Sequence, residues 1–281
     1  MIRFRKYALA LLATATTAAM AAPAYAGPVS TLYLTNVSSK SLYTVQGDAI
    51  TGSAPTYCNH CEQPIAVYGD VRTMGNGNGF GGQYNLDLTQ TGTTYVQSTS
   101  VGLVDGATDG RRNYAVAAGF GGNSSGVYAF DREWGDPTLL FLLDDGARAS
   151  GITYDPTNST LWLQATVDTP NGAAGELRNY QMDGRLITSL SDLVGGALAM
   201  DYADNTLWVV RGPTQYFDQY SRSGMLLQTT SYAGLVGKNG TGAEFDLAAA
   251  VATVPEPGSL LMALTSLAGL LLVNRRRRSR A

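Results

Sequence analysis

The sequence predicts an all-β chain folded as a β-propeller of about five four-stranded blades. Three observations predict it. The middle of the chain repeats itself every 40 to 46 residues. Each repeat reads as short apolar strands separated by Asp- and Gly-rich turns, the pattern of a propeller blade. Strand-forming segments near both ends of this region supply the pieces of one more blade.

The repeat is clearest in its third and fourth units. Ile152-Thr153-Tyr154-Asp155, followed by Asn158-Ser159-Thr160-Leu161-Trp162-Leu163, matches Leu198-Ala199-Met200-Asp201, followed by Asp204-Asn205-Thr206-Leu207-Trp208-Val209, at an offset of 46. Then Tyr180-Gln181-Met182-Asp183-Gly184-Arg185-Leu186 matches Tyr220-Ser221-Arg222-Ser223-Gly224-Met225-Leu226 at an offset of 40, so the intervening loop is expected to be six residues shorter in the later copy. An earlier pair, Gly79-Phe80-Gly81-Gly82 and Gly119-Phe120-Gly121-Gly122, precedes two further strands. Four blades are expected near 63–98, 103–143, 150–190 and 196–230. A fifth would combine Ala243–Leu247 with Thr31–Leu34 and Ser41–Val45, closing the ring without a covalent link. The third and fourth units resemble NHL and other propeller repeats, although those families use six or seven blades. A β-sandwich is the alternative arrangement for strands so spaced.

The two ends carry export signals. Residues 1–26 open on Arg3, Arg5 and Lys6, continue through an apolar stretch and close on Ala24-Tyr25-Ala26, as a secretory signal peptide does before signal peptidase cleaves it. At the other end stand Pro255-Glu256-Pro257, an uncharged and mostly apolar run over 258–273, then Arg275, Arg276, Arg277, Arg278 and Arg280. The prolines keep the motif extended for capture in an enzyme cleft. The run is 16 residues long, and local thinning of the bilayer or help from flanking residues lets it serve as a transmembrane helix. The arginines hold the terminus on the cytoplasmic side. This arrangement over 254–281 resembles the PEP-CTERM sorting signals. The resemblance implies recognition by an exosortase, in a Gram-negative bacterium that makes exopolysaccharide, and delivery to the cell surface or extracellular matrix.

Between the signals, residues 27–253 hold 11 basic and 21 acidic side chains, a balance of −10 that the whole-chain value of −3 conceals. Such a domain repels phosphate backbones, which argues against nucleic acid as a partner. Divalent cations, neutral glycans such as exopolysaccharide, or another matrix protein fit its charge better.

Individual motifs offer little chemistry. Cys58 and Cys61 flank Asn59-His60, and in an oxidising compartment a small-loop disulfide is the first reading. Haem attachment would need His where Glu62 stands, and zinc would need a fourth ligand from elsewhere. Gly122-Asn123-Ser124-Ser125-Gly126 fits the nucleophile-elbow pattern, but the only histidine, His60, precedes it. Gly77–Gly82 fits a dinucleotide fingerprint without the helix that would bind pyrophosphate. Asp105 and Asp109, within Asp105-Gly106-Ala107-Thr108-Asp109-Gly110, and the pair Asp144-Asp145 read as turn residues or as oxygen ligands for Ca²⁺, the one cofactor considered. Trp162 and Trp208 occupy matching repeat positions and are expected to pack between blades. Trp134 falls outside that register, beside Glu133, Asp136 and Pro137, and is the candidate exposed aromatic for stacking on a sugar.

Two functions follow as expectations. The first is a non-enzymatic surface or matrix protein that binds through a propeller face. The second is a metal-dependent, lactonase-like propeller hydrolase with Glu62, Asp105 and Glu244 lining a central channel.

Overall fold

The computed structural model describes residues 27–249, apart from 59–60, 77–78, 98, 100, 118–124, 144–145, 171, 192, 194, 212–215 and 236–239. The signal segment 1–26, the tail 254–281 with Pro255, Glu256, Pro257 and Arg275–Arg278, and the Asp144-Asp145 pair lie outside the described residues.

Twenty strands form five antiparallel four-stranded sheets. Strands β1 (Leu32–Asn36), β2 (Ser41–Gln46) and β3 (Ala49–Pro55) belong to blade 1. Blade 2 contains β4 (Glu62–Val67), β5 (Val71–Gly75), β6 (Phe80–Tyr84) and β7 (Gln90–Val96). Blade 3 contains β8 (Leu103–Thr108), β9 (Asn113–Ala117), β10 (Gly126–Phe130) and β11 (Thr138–Leu142). Blade 4 contains β12 (Arg148–Asp155), β13 (Thr160–Thr169), β14 (Gly172–Gln181) and β15 (Leu186–Leu190). Blade 5 contains β16 (Gly196–Asp201), β17 (Thr206–Arg211), β18 (Tyr216–Tyr220) and β19 (Leu226–Ser231). The last strand, β20 (Gly240–Phe245), returns to blade 1 as its innermost strand. It pairs with β1 through Leu32↔Phe245 and Leu34↔Ala243. The protein is therefore a five-bladed β-propeller whose ring is closed by strands from opposite ends of the chain.

Blades stack because their inner strands are apolar on both faces. On β17, Leu207 and Val209 join the cluster shared with blade 4, whereas Trp208 and Val210 join the cluster shared with blade 1. On β13, Leu161 and Leu163 face blade 3 and Trp162 faces blade 5. Five such clusters correspond to the five interfaces between neighbouring blades. A strand buried on both faces needs a sheet on each side, and only a closed ring gives every blade two neighbours.

The repeat boundaries match the strands closely, with three differences. β3 extends blade 1 beyond the segments read from the sequence; its alternating Ala, Thr, Gly and Ser side chains give little apolar signal. The second strand of these repeats, read from the sequence as ending in its tryptophan, continues past it, so Trp162 and Trp208 sit inside β13 and β17. The six extra residues of the third repeat lengthen its β13–β14 hairpin, which pairs from Thr160↔Gln181 out to Thr169↔Gly172, instead of forming a longer loop.

The expectation for Trp134 is corrected. Its side chain is fully buried, edge-on to Phe130 at 5.4 Å and clustered with Met74 and Tyr95 of blade 2. The reason lies in the turn between the third and fourth strands of each blade. Gly184 donates to the Gln181 carbonyl and Gly224 to that of Ser221, both with φ near 85°. Trp134 donates to Asp131 and Leu88 to Asn85 in the same manner, with φ of 61° and 67°. All four occupy one repeat position, which leans on the preceding blade. At Gly184 and Gly224 an added Cβ would press on Phe141 and Leu190. At the other two positions the side chain itself is the wedge. A left-handed backbone costs a non-glycine residue about 1–2 kcal/mol, and burying a large side chain between blades offsets it.

Trp134→Ala, Trp162→Ala and Trp208→Ala are therefore expected to destabilise the protein to a similar degree, by about 3–5 kcal/mol each in equilibrium denaturation. A cost below about 1 kcal/mol for Trp134→Ala would contradict the wedge.

Candidate functional site

The axis of a propeller is the usual place to look for chemistry, because five inner strands converge there. Here it is filled by carboxylates that are already engaged. A bulge between Leu103 and Asp105 turns the Asp105 side chain inward from β8. Its Oδ2 accepts the N–H of Ile152 on β12 at 3.0 Å and of Leu198 on β16 at 2.9 Å. Its Oδ1 accepts Ala243 N–H on β20 at 3.1 Å and Gly106 N–H at 2.9 Å. One side chain thus holds the inner strands of blades 3, 4, 5 and 1. Gly106 must be glycine for this approach, since a Cβ there would lie 2.8 Å from the Ile65 carbonyl and 3.0 Å from Trp134.

Glu244 on β20 is the second axial group. Both its oxygens lie 3.1 Å from the Thr153 hydroxyl of β12, and Oε1 accepts the Phe245 N–H at 3.0 Å. The Met200 N–H of β16 adds a further donor. Burial pushes the Asp105 carboxyl well above the usual carboxylate range, while its four backbone donors pull it partly back. Burial likewise raises Glu244, and the nearby Asp105 charge raises it further.

Glu62, the third carboxylate of the hydrolase expectation, is directed along its own blade. Its Oε2 accepts the Thr73 hydroxyl of β5 at 2.5 Å and the Tyr84 hydroxyl of β6 at 2.8 Å, and Oε1 accepts the Cys58 N–H at 2.9 Å. Burial raises its pKa as well. Glu62 thereby seats the Cys58–Cys61 loop, whose cysteines form a disulfide with Cα atoms 5.6 Å apart. The loop lies on the connection from blade 1 to blade 2, where Gly79 approaches so closely that a Cβ would meet the Cys61 sulfur at 2.7 Å.

The calcium pairing of Asp105 with Asp109 is corrected. Asp105 is in the axis, and its oxygens are taken by N–H donors, which a cation would displace. Asp109 lies beyond the other end of β8, about 13 Å along the strand at ~3.3 Å per residue. Its Oδ1 accepts the N–H groups of Arg111 and Arg112, both at 2.7 Å, and its Oδ2 accepts the Tyr114 hydroxyl at 2.7 Å. Among the described residues no three His, Cys, Asp or Glu side chains are gathered to hold a metal ion.

The end of the propeller that carries these hairpin turns is also latched between blades, a feature the sequence reading missed. Arg132, in the turn after β10, pairs with Asp70 of blade 2 at 2.9 Å and lies over the Tyr68 ring at 5.4 Å. Arg72 bridges Asp70 and Glu133. Arg222, which occupies the same repeat position as Arg132, reaches back to Asp155 of blade 4. Both arginines sit two residues after the end of the third strand. That shared register, visible within the repeat, was the available signal.

Comparison with known proteins adds the fold and nothing finer. No family model and no curated protein matches the chain. Among solved structures, a chain of a nidogen/laminin complex aligns with a TM-score of 0.51 at 11% identity, over 78% of this chain and 99% of that one. A protein of unknown function from Bacteroides caccae aligns over 73% of each chain at 11% identity, with a TM-score of 0.43. Virginiamycin B lyase from Staphylococcus aureus aligns over 63% of this chain and 58% of its own at 16% identity, with a TM-score of 0.37.

Two outcomes follow from the axis. Asp105→Asn replaces an acceptor oxygen by an amide that faces backbone N–H groups, so it should cost about 3–5 kcal/mol in denaturant unfolding. Wild-type stability in that variant would show that the four-strand clamp is not needed. The raised carboxyls also set a pH dependence. Between the unfolded value near pH 4 and the raised native values, the folded chain binds more protons than the unfolded one. The stabilisation is thus fully present below about pH 4 and is lost as the pH climbs through the native values. Glu244→Gln removes one such group, so its unfolding free energy should fall less steeply with pH than that of wild type. Identical pH profiles for the two proteins would contradict the assignment.

Proposed function

We propose that this chain is an exported surface or matrix protein, in which a five-bladed propeller acts as a non-enzymatic binding module and residues 254–281 act as a PEP-CTERM-type sorting signal. The observation that carries the reading is the succession of motifs in the C-terminal sequence: Pro255-Glu256-Pro257, the apolar run 258–273 and the arginine block. Signal peptidase removes residues 1–26 and an exosortase reads the motif while the apolar run holds it at the membrane. Exopolysaccharide or a second matrix protein is the binding partner.

The fold supports this in two ways. Ring closure ends at Phe245, ten residues before Pro255, so processing at the motif leaves the β1–β20 pairing untouched. Both chain ends also leave from the hairpin-turn end of the propeller: Ser30 hydrogen-bonds Asp201 at the foot of blade 5, and Asp246 accepts the Gly69 N–H at the foot of blade 2. Tethering at that end leaves the opposite face directed outward. The hydrolase reading draws less support, because the two axial carboxylates are spent on backbone donors. Among the described residues no helix is long and apolar enough to cross a membrane.

The test separates recognition of the motif from anchoring. In the native host, Glu256→Ala should leave export and membrane insertion intact and block maturation, seen as retained precursor mass at the C-terminus. Replacing Arg275, Arg276, Arg277 and Arg278 should instead weaken stop-transfer, leaving Arg280 alone to hold topology. A Glu256→Ala protein with wild-type mature mass and location would overturn the sorting assignment and leave a plain membrane anchor.

A further inference from the structure

We propose that the Cys58–Cys61 disulfide is a redox-active site, and that its substrate is a protein dithiol presented on an apolar stretch of chain. The inference does not depend on the fate of the tail. The bridge joins residues only three apart in sequence, so it removes little freedom from the unfolded chain and ties no distant parts of the propeller together. Nor is it needed to hold the cysteines in place. The Cys58 N–H donates to Glu62 Oε1 at 2.9 Å, and the Cys58 carbonyl accepts the Thr56 hydroxyl at 2.8 Å. The Cys61 carbonyl accepts the Asn76 N–H at 2.6 Å. Upstream, the Thr56 N–H donates to the Lys40 carbonyl and the Tyr57 N–H to the Tyr84 hydroxyl. Blades 1 and 2 therefore fix both backbones, and the sulfur–sulfur bond can open and close without moving them.

The surroundings suit both a reduced form and a protein partner. Both cysteines are half-buried, which leaves sulfur within reach, whereas inert structural cysteines are sealed in the core. The Cys61 sulfur lies 3.3 Å from the Phe80 carbonyl oxygen, an acceptor that a thiol can use and a disulfide cannot. Beside it, β6 and β7 expose an apolar pair: Phe80 and Val96 stand directly opposite each other and are 41% and 77% exposed. Residues 80 and 82 share one face of β6, and a Cβ on Gly82 would meet the Tyr57 ring at 2.0 Å, so the pair lies on the face along which residues 56–58 run. A small thiol gains nothing from such a pair, whereas a polypeptide laid over it buries apolar surface and brings its own cysteine to Cys58.

The exchange runs in two displacements. Gly79 crowds the Cys61 sulfur, so the partner's thiolate attacks the Cys58 sulfur. A disulfide forms between the partner and Cys58, the Cys58–Cys61 bond breaks, and Cys61 leaves as a thiolate that takes a proton from water and donates it to the Phe80 carbonyl. The partner's second thiolate then attacks its own sulfur in the mixed disulfide and releases Cys58, which is protonated in turn. Two electrons and two protons pass from the partner, which ends as a disulfide, to Cys58 and Cys61, which end as thiols.

The test uses the full chain in mild detergent, where the only two cysteines make thiol counting by alkylation and mass spectrometry unambiguous. Over a series of dithiothreitol mixtures, the expected result is that both thiols appear and disappear reversibly, with the dithiol form melting within about 5 °C of the disulfide form. Two reduced dithiol peptides, one flanked by leucines and one by serines, then probe the partner. The leucine peptide should reduce the wild type at least about 5-fold faster. Phe80→Ser combined with Val96→Ser should abolish that preference and leave the rate with dithiothreitol unchanged. A dithiol form that melts more than about 5 °C lower would make the bridge a structural clip and overturn the proposal. Equal rates for the two peptides on the wild type, or a preference that survives the double substitution, would overturn the protein substrate.

Discussion

The ring depends on one buried carboxylate. Asp105 gathers the inner strands of blades 3, 4, 5 and 1 by accepting an N–H from each, at 2.9 to 3.1 Å. Each inner strand is the edge of its sheet and has a neighbour on one side only, so some of its N–H groups face the axis without a strand partner, and an unpaired buried N–H is costly. A single carboxyl side chain resolves four of them at once. The cost is the desolvation of the carboxylate itself, visible as the upward displacement of its pKa. Glu244 repeats the device one residue beyond Ala243, linking blades 1, 4 and 5 through Thr153, Met200 and Phe245.

That clamp bears directly on ring closure. Ala243 and Glu244 both belong to β20, the strand that completes blade 1 from the far end of the chain. The axis and the β1–β20 ladder therefore hold the same strand from two sides. A channel lined by free carboxylates would offer a site for a metal and a substrate; here Asp105 and Glu244 accept backbone N–H groups instead. The acids nearest the axis are thus part of what closes the ring.

Much of the fold was legible because a propeller writes its blades into the sequence as repeats. The offset of 46 between Asp155 and Asp201 reappears in the structure as equivalent turns: Ser159 and Asn205, also 46 apart, both take φ near +55°. Blade 1 was legible only in part, since β3 lacks apolar alternation. The axial site was half legible. Asp105 and Glu244 stood out as acids near blade starts, but a sequence does not reveal whether an acid meets a metal or an amide. Asp105 and Asp109 are near in sequence, whereas the extended backbone of β8 carries them about 13 Å apart, Asp105 at the axis and Asp109 in the turn beyond Thr108.

Trp134 shows where such reading fails and why. Judged by its polar neighbours Glu133 and Asp136, it belongs on the surface. Judged by its place in the repeat, it aligns with Gly184 and Gly224, positions that require a left-handed backbone and face the preceding blade. A tryptophan at a glycine position signals that something bulky must fill a gap, here between Phe130, Met74 and Tyr95. The same logic accounts for Leu88 in blade 2. Blades 4 and 5 use glycine at this turn because the preceding outer strand already supplies the filling side chain, Phe141 or Leu190. Packing volume at each interface is shared between the turn residue and the strand it touches, so the turn residue alone, read without its neighbour, gives the wrong answer.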